Sequence, residues 1–142
     1  MTDTHDCHVC RMAAGHGAEV IHRGRDWTIV ALGQAPGVIM LMTNVHDVGL
    51  AMISESAAAS LGPFTREISQ AIVADDAFDF VAAVHLGDNS RHTHLMFVGR
   101  PEGDGKILDT TPLPGRMAGP ADPARKAQII ERVRAAGINA NI

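Results

Sequence analysis

Apolar positions along this chain recur at two periods, which separate strands from helices. Glu19–Arg23 and Asp26–Leu32 are two strand-like runs, joined at Arg23-Gly24-Arg25-Asp26 by a short hairpin turn. In the second run Trp27, Ile29 and Ala31 alternate with Thr28, Val30 and Leu32, so both faces are fairly apolar. Gly33 to Gly37 is a loop. Val38–Thr43 is apolar on both faces, which predicts a central strand. The period then changes. Ser54 suits a helix N-cap, Glu55 favours the first turn, and Ala58, Leu61, Phe64, Ile68 and Ile72 make a helical stripe that runs to about Ala74. Gly62-Pro63 inside that stripe predicts a kink or a split. Asp75-Asp76 ends it. Phe78–Leu86 and Arg91–Val98 are two further strand-like runs, close enough for a hairpin. Pro101 to Pro120 is rich in Gly and Pro and aperiodic, a loop or surface strap. Asp122-Pro123 opens a last helix that runs to Ala136 and stops at Gly137. The order β-β-β-α-β-β with short connections predicts an α+β fold: an antiparallel sheet with a helix on one face.

The fifth strand carries the first sign of chemistry. Along Arg91–Val98, side chains alternate, so His92, His94, Met96 and Val98 share a face while Thr93, Leu95 and Phe97 point to a core. The two imidazoles then stand roughly 6–7 Å apart. Two hydrogen-bonded or solvated histidines on an ordinary strand would give the same pattern. The chain has eight histidines in 142 residues, more than an ordinary composition accounts for.

Composition narrows the classes. The length suits one domain with a real core. A net charge of −4 with no basic arm argues against a nucleic-acid binder. With one Trp and no Tyr there is little surface on which bases could stack. No apolar run approaches the roughly 20 residues needed to span a bilayer, and the polar start Met1 to Asp6 is unlike a secretory signal, so a cytoplasmic location is expected. The two cysteines, Cys7 and Cys10, are spaced C-x-x-C. A thioredoxin-type motif is not expected, because no strand precedes the pair. Two thiolates on a tight turn waiting for two further metal ligands fit better, with two free thiols near a chain end as the alternative.

Taken together, these residues resemble the histidine-triad superfamily. The resemblance rests on the element order, the N-terminal C-x-x-C, the Gln34-Ala35-Pro36-Gly37 loop leading into an apolar strand that ends near His46, and the final H-x-H strand. It covers roughly residues 7 to 100; residues 101–142 match only in kind. It implies one domain over 1–142, built on a five-stranded antiparallel sheet with a long helix and a C-terminal helix, and paired into a homodimer. It also implies a nucleotide hydrolase or nucleotidyl transferase in which the middle triad histidine, here His94, attacks an α-phosphate and forms a covalent intermediate. Zinc-containing members similar to this chain would use Cys7, Cys10, His46 and His92 as a closed, structural Zn²⁺ site, with His85 and His8 as substitutes if one ligand is wrong. His5, His16 and His22 are expected bystanders.

The chain departs from the family pattern twice. The third triad position is Met96, and the histidine that follows Pro-Gly in the family is Val38. Neither side chain donates a hydrogen bond, and losing one preorganised donor typically costs about 10²–10³ in rate. Asn89 and Ser90 remain as donors for substrate, and Arg91 or Arg100 could supply charge. The expectation is an enzyme acting weakly on standard nucleotide substrates. The alternatives are a catalytically degenerate, zinc-stabilised domain that binds a nucleotide or other small phosphate ligand, or one that binds a protein partner.

Overall fold

The computed structural model describes residues 6–87, 90–101 and 120–136. Five strands, β1 (Glu19–Arg23), β2 (Trp27–Ala31), β3 (Val38–Thr43), β4 (Phe80–Val84) and β5 (His94–Arg100), form one antiparallel sheet in the order β1-β2-β3-β5-β4. Three helices accompany it: α1 (His8–Ala13), α2 (Glu55–Val73) and α3 (Pro123–Ala135). The expected α+β architecture is therefore the observed one. β5 enters between β3 and β4 because α2 carries the chain across the sheet before the β4–β5 hairpin returns it.

The two sheet faces are covered differently. On one, Trp27, Ile29, Ile39, Leu41 and Phe97 pack against Phe64, Ile68 and Ile72 of α2 and Ile129, Ile130 and Val133 of α3. The Trp27 indole N–H donates to the Ala57 carbonyl at 3.0 Å, so the largest side chain of the core also fixes α2 against β2. On the other face, Val9 and Met12 of α1 and Cys7 pack on Val30, Met40 and Met42.

Several local expectations change. α2 is one helix of 19 residues and is not split at Gly62-Pro63. Pro63 is exposed, and so is Ala59, whose carbonyl loses its partner to the missing Pro63 N–H and faces water. The buried stripe of α2 includes Ala57 and Ser60, whereas Ala58 is exposed. β5 begins at His94, later than the sequence pattern suggests, and His92 forms only an isolated bridge with Val48. The C-x-x-C pair opens a short helix, with Cys7 as its N-cap, where a simple turn was expected. Asp75, expected only to end α2, is 4% exposed and ion-paired to Arg125 and Arg132 of α3. Most of the predicted strap at 101–120, and the stop at Gly137, lie outside the described residues.

Gly37 has a structural reason. Its φ is +75°, and the Phe78 ring lies where a Cβ would stand, 2.9 Å away. The close approach lets Phe78 cover the end of the sheet where Gly99 N–H donates to the Gly37 carbonyl at 2.8 Å. No helix among the described residues is long and apolar enough to cross a membrane.

Candidate functional site

The site starts at the N-terminus of α1. Cys7 caps the helix with its sulfur, which accepts the Cys10 backbone N–H at 3.3 Å. Helical spacing then brings the Cys10 thiol to the same side. His46 enters from the turn after β3. His92 enters from the segment before β5, where a small backbone lattice holds the two pieces together: Thr93 N–H donates to the Asp47 carbonyl at 2.9 Å and Thr43 N–H to the Thr93 carbonyl at 3.2 Å.

These four side chains converge. The Cys7 and Cys10 sulfurs lie 3.4 and 3.3 Å from His92 Nδ1, and Cys10 Sγ lies 3.4 Å from His46 Nδ1. All four ligand atoms fall within 4.8 Å of one another. Tetrahedral zinc bonds to sulfur and nitrogen would set S···N edges of about 3.6 Å, close to what is seen. The tautomer fits as well. His92 Nε2–H donates to the Thr43 carbonyl at 2.8 Å, which leaves the Nδ1 lone pair aimed at the thiols. Burial lowers the His92 pKa, with the Thr43 hydrogen bond opposing, and so favours the neutral, ligating form. Without a cation the Cys10 thiol resists ionisation. The Cys10 pKa is pushed up to about 11, chiefly by burial and also by the hydrogen bond to Cys7 and its charge. A divalent cation reverses that balance. The donor set therefore fits a soft, tetrahedral metal ion.

His94 stands at the start of β5, half-buried, opposite Met42 of β3. Its Nδ1–H donates to the His92 carbonyl at 2.6 Å, which leaves Nε2 unprotonated and free to act as a nucleophile. Met96 pairs with Met40 on one side and Val84 on the other, and Val38 pairs with Val98. This strip of the sheet offers no side-chain donor at either position.

The remaining candidates separate. His85, considered above as a substitute ligand, is outside the four-residue group and beside His94: its Nδ1–H donates to the His94 carbonyl at 2.9 Å, and the two rings lie 6.5 Å apart, edge to face. His8 is exposed on α1 and also outside the group, as is His16. His22 packs against Phe64 on the other face. Ser90 Oγ stands 3.8 Å from Cys7 Sγ. Asn89 and His5 lie outside the described residues. The sequence reading missed the pairing of His85 with His94. Continuing the β4–β5 register beyond Val84–Met96 would have hinted at it.

The same arrangement of elements occurs in solved structures. A Zn-bound histidine triad family protein from Mycobacterium smegmatis superposes with a TM-score of 0.65 at 19% identity, covering 94% of each chain. A histidine triad protein from Bradyrhizobium japonicum gives 0.67 at 20%, covering 84% of this chain and 90% of the other. The fold is the histidine-triad fold. A hypothetical histidine triad nucleotide-binding protein from Sulfolobus tokodaii shares it at a TM-score of 0.63 and 15% identity, over 92% of this chain and 91% of that one. No family model matches the sequence, and no curated protein matches it either. At the three positions that the sequence resemblance assigns to the triad, this chain has His92, His94 and Met96, two imidazoles and a thioether.

Proposed function

We propose that this protein is a nucleotide hydrolase or nucleotidyl transferase that acts at an α-phosphate through His94. The observation that carries the reading is the orientation of His94, whose Nδ1–H is tied to the His92 carbonyl so that Nε2 is left as the attacking atom. In the first step Nε2 bonds to phosphorus and the leaving group departs. In the second, water or an acceptor breaks the phosphorus–nitrogen bond. Cys7, Cys10, His46 and His92 would hold Zn²⁺, which supplies a fixed cross-link and no reactive position, since four protein ligands close a tetrahedral site. His92 then serves both ends: its ring faces the thiols and its carbonyl orients His94.

Asn89 and Ser90 are assigned to substrate, with Ser90 also within reach of the Cys7 sulfur. The reading includes one domain, a cytoplasmic location and a homodimer. Support for the homodimer on this chain is β4, an edge strand whose Phe80 is 65% exposed. The absence of donors at Val38 and Met96 makes turnover slow, at about 10²–10³ per missing donor. That same absence favours a second reading, a zinc-stabilised domain that binds a nucleotide without turning it over.

Intact mass decides between them. The protein, with its metal content measured, is mixed with adenosine phosphoramidates and dinucleoside polyphosphates and quenched. A nucleotidyl adduct that disappears in His94→Ala is the expected result. Tight nucleotide binding with no adduct, at about one zinc per chain, would establish the second reading instead.

A further inference from the structure

The function proposed above leaves the leaving group without a proton, and this further step rests on that reading. His92 and His46 turn their Nδ1 atoms to the thiols. Met96, where a donor would be expected, is a thioether and gives no proton. An arginine does not release one at working pH. One imidazole in this part of the molecule remains uncommitted. His85 follows the last residue of β4, and the antiparallel pairing of β4 with β5 carries it to the backbone of His94.

We propose that His85 is the general acid and base of the site, protonating the leaving group when His94 attacks and taking the proton back from water afterwards. Its hydrogen bond to the His94 carbonyl keeps a proton on Nδ1 whether the ring is neutral or an imidazolium. The exchangeable position is therefore Nε2, and His85 is an exposed residue. The geometry is suitable. A phosphorus poised about 3–3.5 Å from His94 Nε2 places its in-line leaving atom about 5 Å from that nitrogen. A proton donor must come within roughly 2.6–3.2 Å of the leaving atom. The ring centroids of His85 and His94 lie 6.5 Å apart, edge to face at 73°, a separation on the scale of that span.

The balance closes without a co-reactant. His94 Nε2 gives its lone pair to phosphorus, the bond from phosphorus to the leaving nitrogen or oxygen breaks with its electron pair, and that atom takes the Nε2 proton of the His85 imidazolium, which becomes neutral. Water then attacks phosphorus, His85 Nε2 takes a proton from it, and the phosphorus–nitrogen bond breaks to restore His94. The net change is one water consumed, one nucleoside monophosphate formed and one protonated leaving group released. The substrate class that needs this most is a phosphoramidate or an alkyl phosphate ester, whose leaving group is too basic to depart without a proton.

The test compares leaving groups on one nucleotide, using an alkylamine phosphoramidate and a p-nitrophenyl ester, across the parent, His85→Ala, His85→Asn and His94→Ala. His85→Ala is expected to lower kcat/KM about 10²–10³-fold on the phosphoramidate and less than about three-fold on the p-nitrophenyl ester, which leaves without help. His85→Asn keeps a hydrogen-bond donor but cannot transfer a proton, so it should behave as His85→Ala does. Zinc content should match the parent in both variants. Equal losses on both substrates, rescue by Asn, or no loss on either would overturn the proposal. Undetectable turnover in the parent, or turnover that survives His94→Ala, would instead overturn the nucleotide hydrolase reading and this inference with it.

Discussion

On the face covered by α2 and α3, fifteen buried residues pack together, and all are apolar. On the α1 face six do, and three of them are Met12, Met40 and Met42 and a fourth is Cys7. Fully burying one large aliphatic or aromatic side chain contributes about 1.5–3 kcal/mol, so the first face has ample area to hold two helices. α1 has six residues, and helices shorter than about 12–15 residues are marginal in isolation even with ideal composition. On the metal-site reading, the second face would depend on ligation for what the first obtains from area. His94 stands on the weaker face, so on the same reading its geometry would be conditional on the metal.

The largest effect expected is on the aromatic core. Phe64→Ala should cost about 3–5 kcal/mol by urea unfolding, because the ring is wholly buried between α2 and the sheet. If the two faces were equally area-dependent, Met12→Ala would cost as much; a loss nearer 2 kcal/mol is expected, at the low end for such truncations. Metal removal should produce the opposite distribution. Chelation, from free metal at about a thousand-fold its Kd, should lower stability by about 4 kcal/mol. Trp27 emission should stay that of a buried indole while proteolysis near Cys7 to His16 rises. Simultaneous loss of both signals would mean the faces are not separable.

Smaller effects sharpen the contrast. Met96→His restores an imidazole opposite Met40 and should raise turnover roughly tenfold, part of the 10²–10³ attributed to one donor. The smallest is a pH effect on the apolar face. Burial lowers the His22 pKa from 6.5, and its Nε2 has no partner. The unfolded chain then binds more protons than the folded one just below pH 6.5, so stability falls as pH drops through that value and stops falling below the folded pKa. His22→Leu should flatten the difference between urea midpoints measured at pH 7 and pH 5. His92 is shifted in the same direction, so part of the slope should persist.

What the sequence revealed followed from local physics. β1 and β3 have the bounds that their apolar runs suggested, and Ser54 and Asp122 cap their helices by accepting from Ala57 and Arg125 N–H. The convergence of Cys7, Cys10, His46 and His92 was anticipated because their residue types and order match a known donor set. α1 was missed since six residues are too few to show a period. The Asp75 contacts with Arg125 and Arg132, and the approach of His85 to His94, depend on which elements become neighbours in space. Nothing in the local pattern around Asp75 or His85 records that.

A metal shared by Cys7 and His92 would join residues 85 apart in the chain. At roughly 5–20 residues per second, the thiols are synthesised about 4–17 s before their imidazole partner. During that interval Cys7 and Cys10 are exposed to any metal or oxidant nearby, and only the arrival of β5 commits them. A metal held there would close the loop that contains β1 to β4 and α2, and since the four ligands come together only on folding, its binding free energy would add to the stability of the folded chain. Of the described helices, α1 is made before α2 and α3 and, on this reading, is among the last elements to be secured.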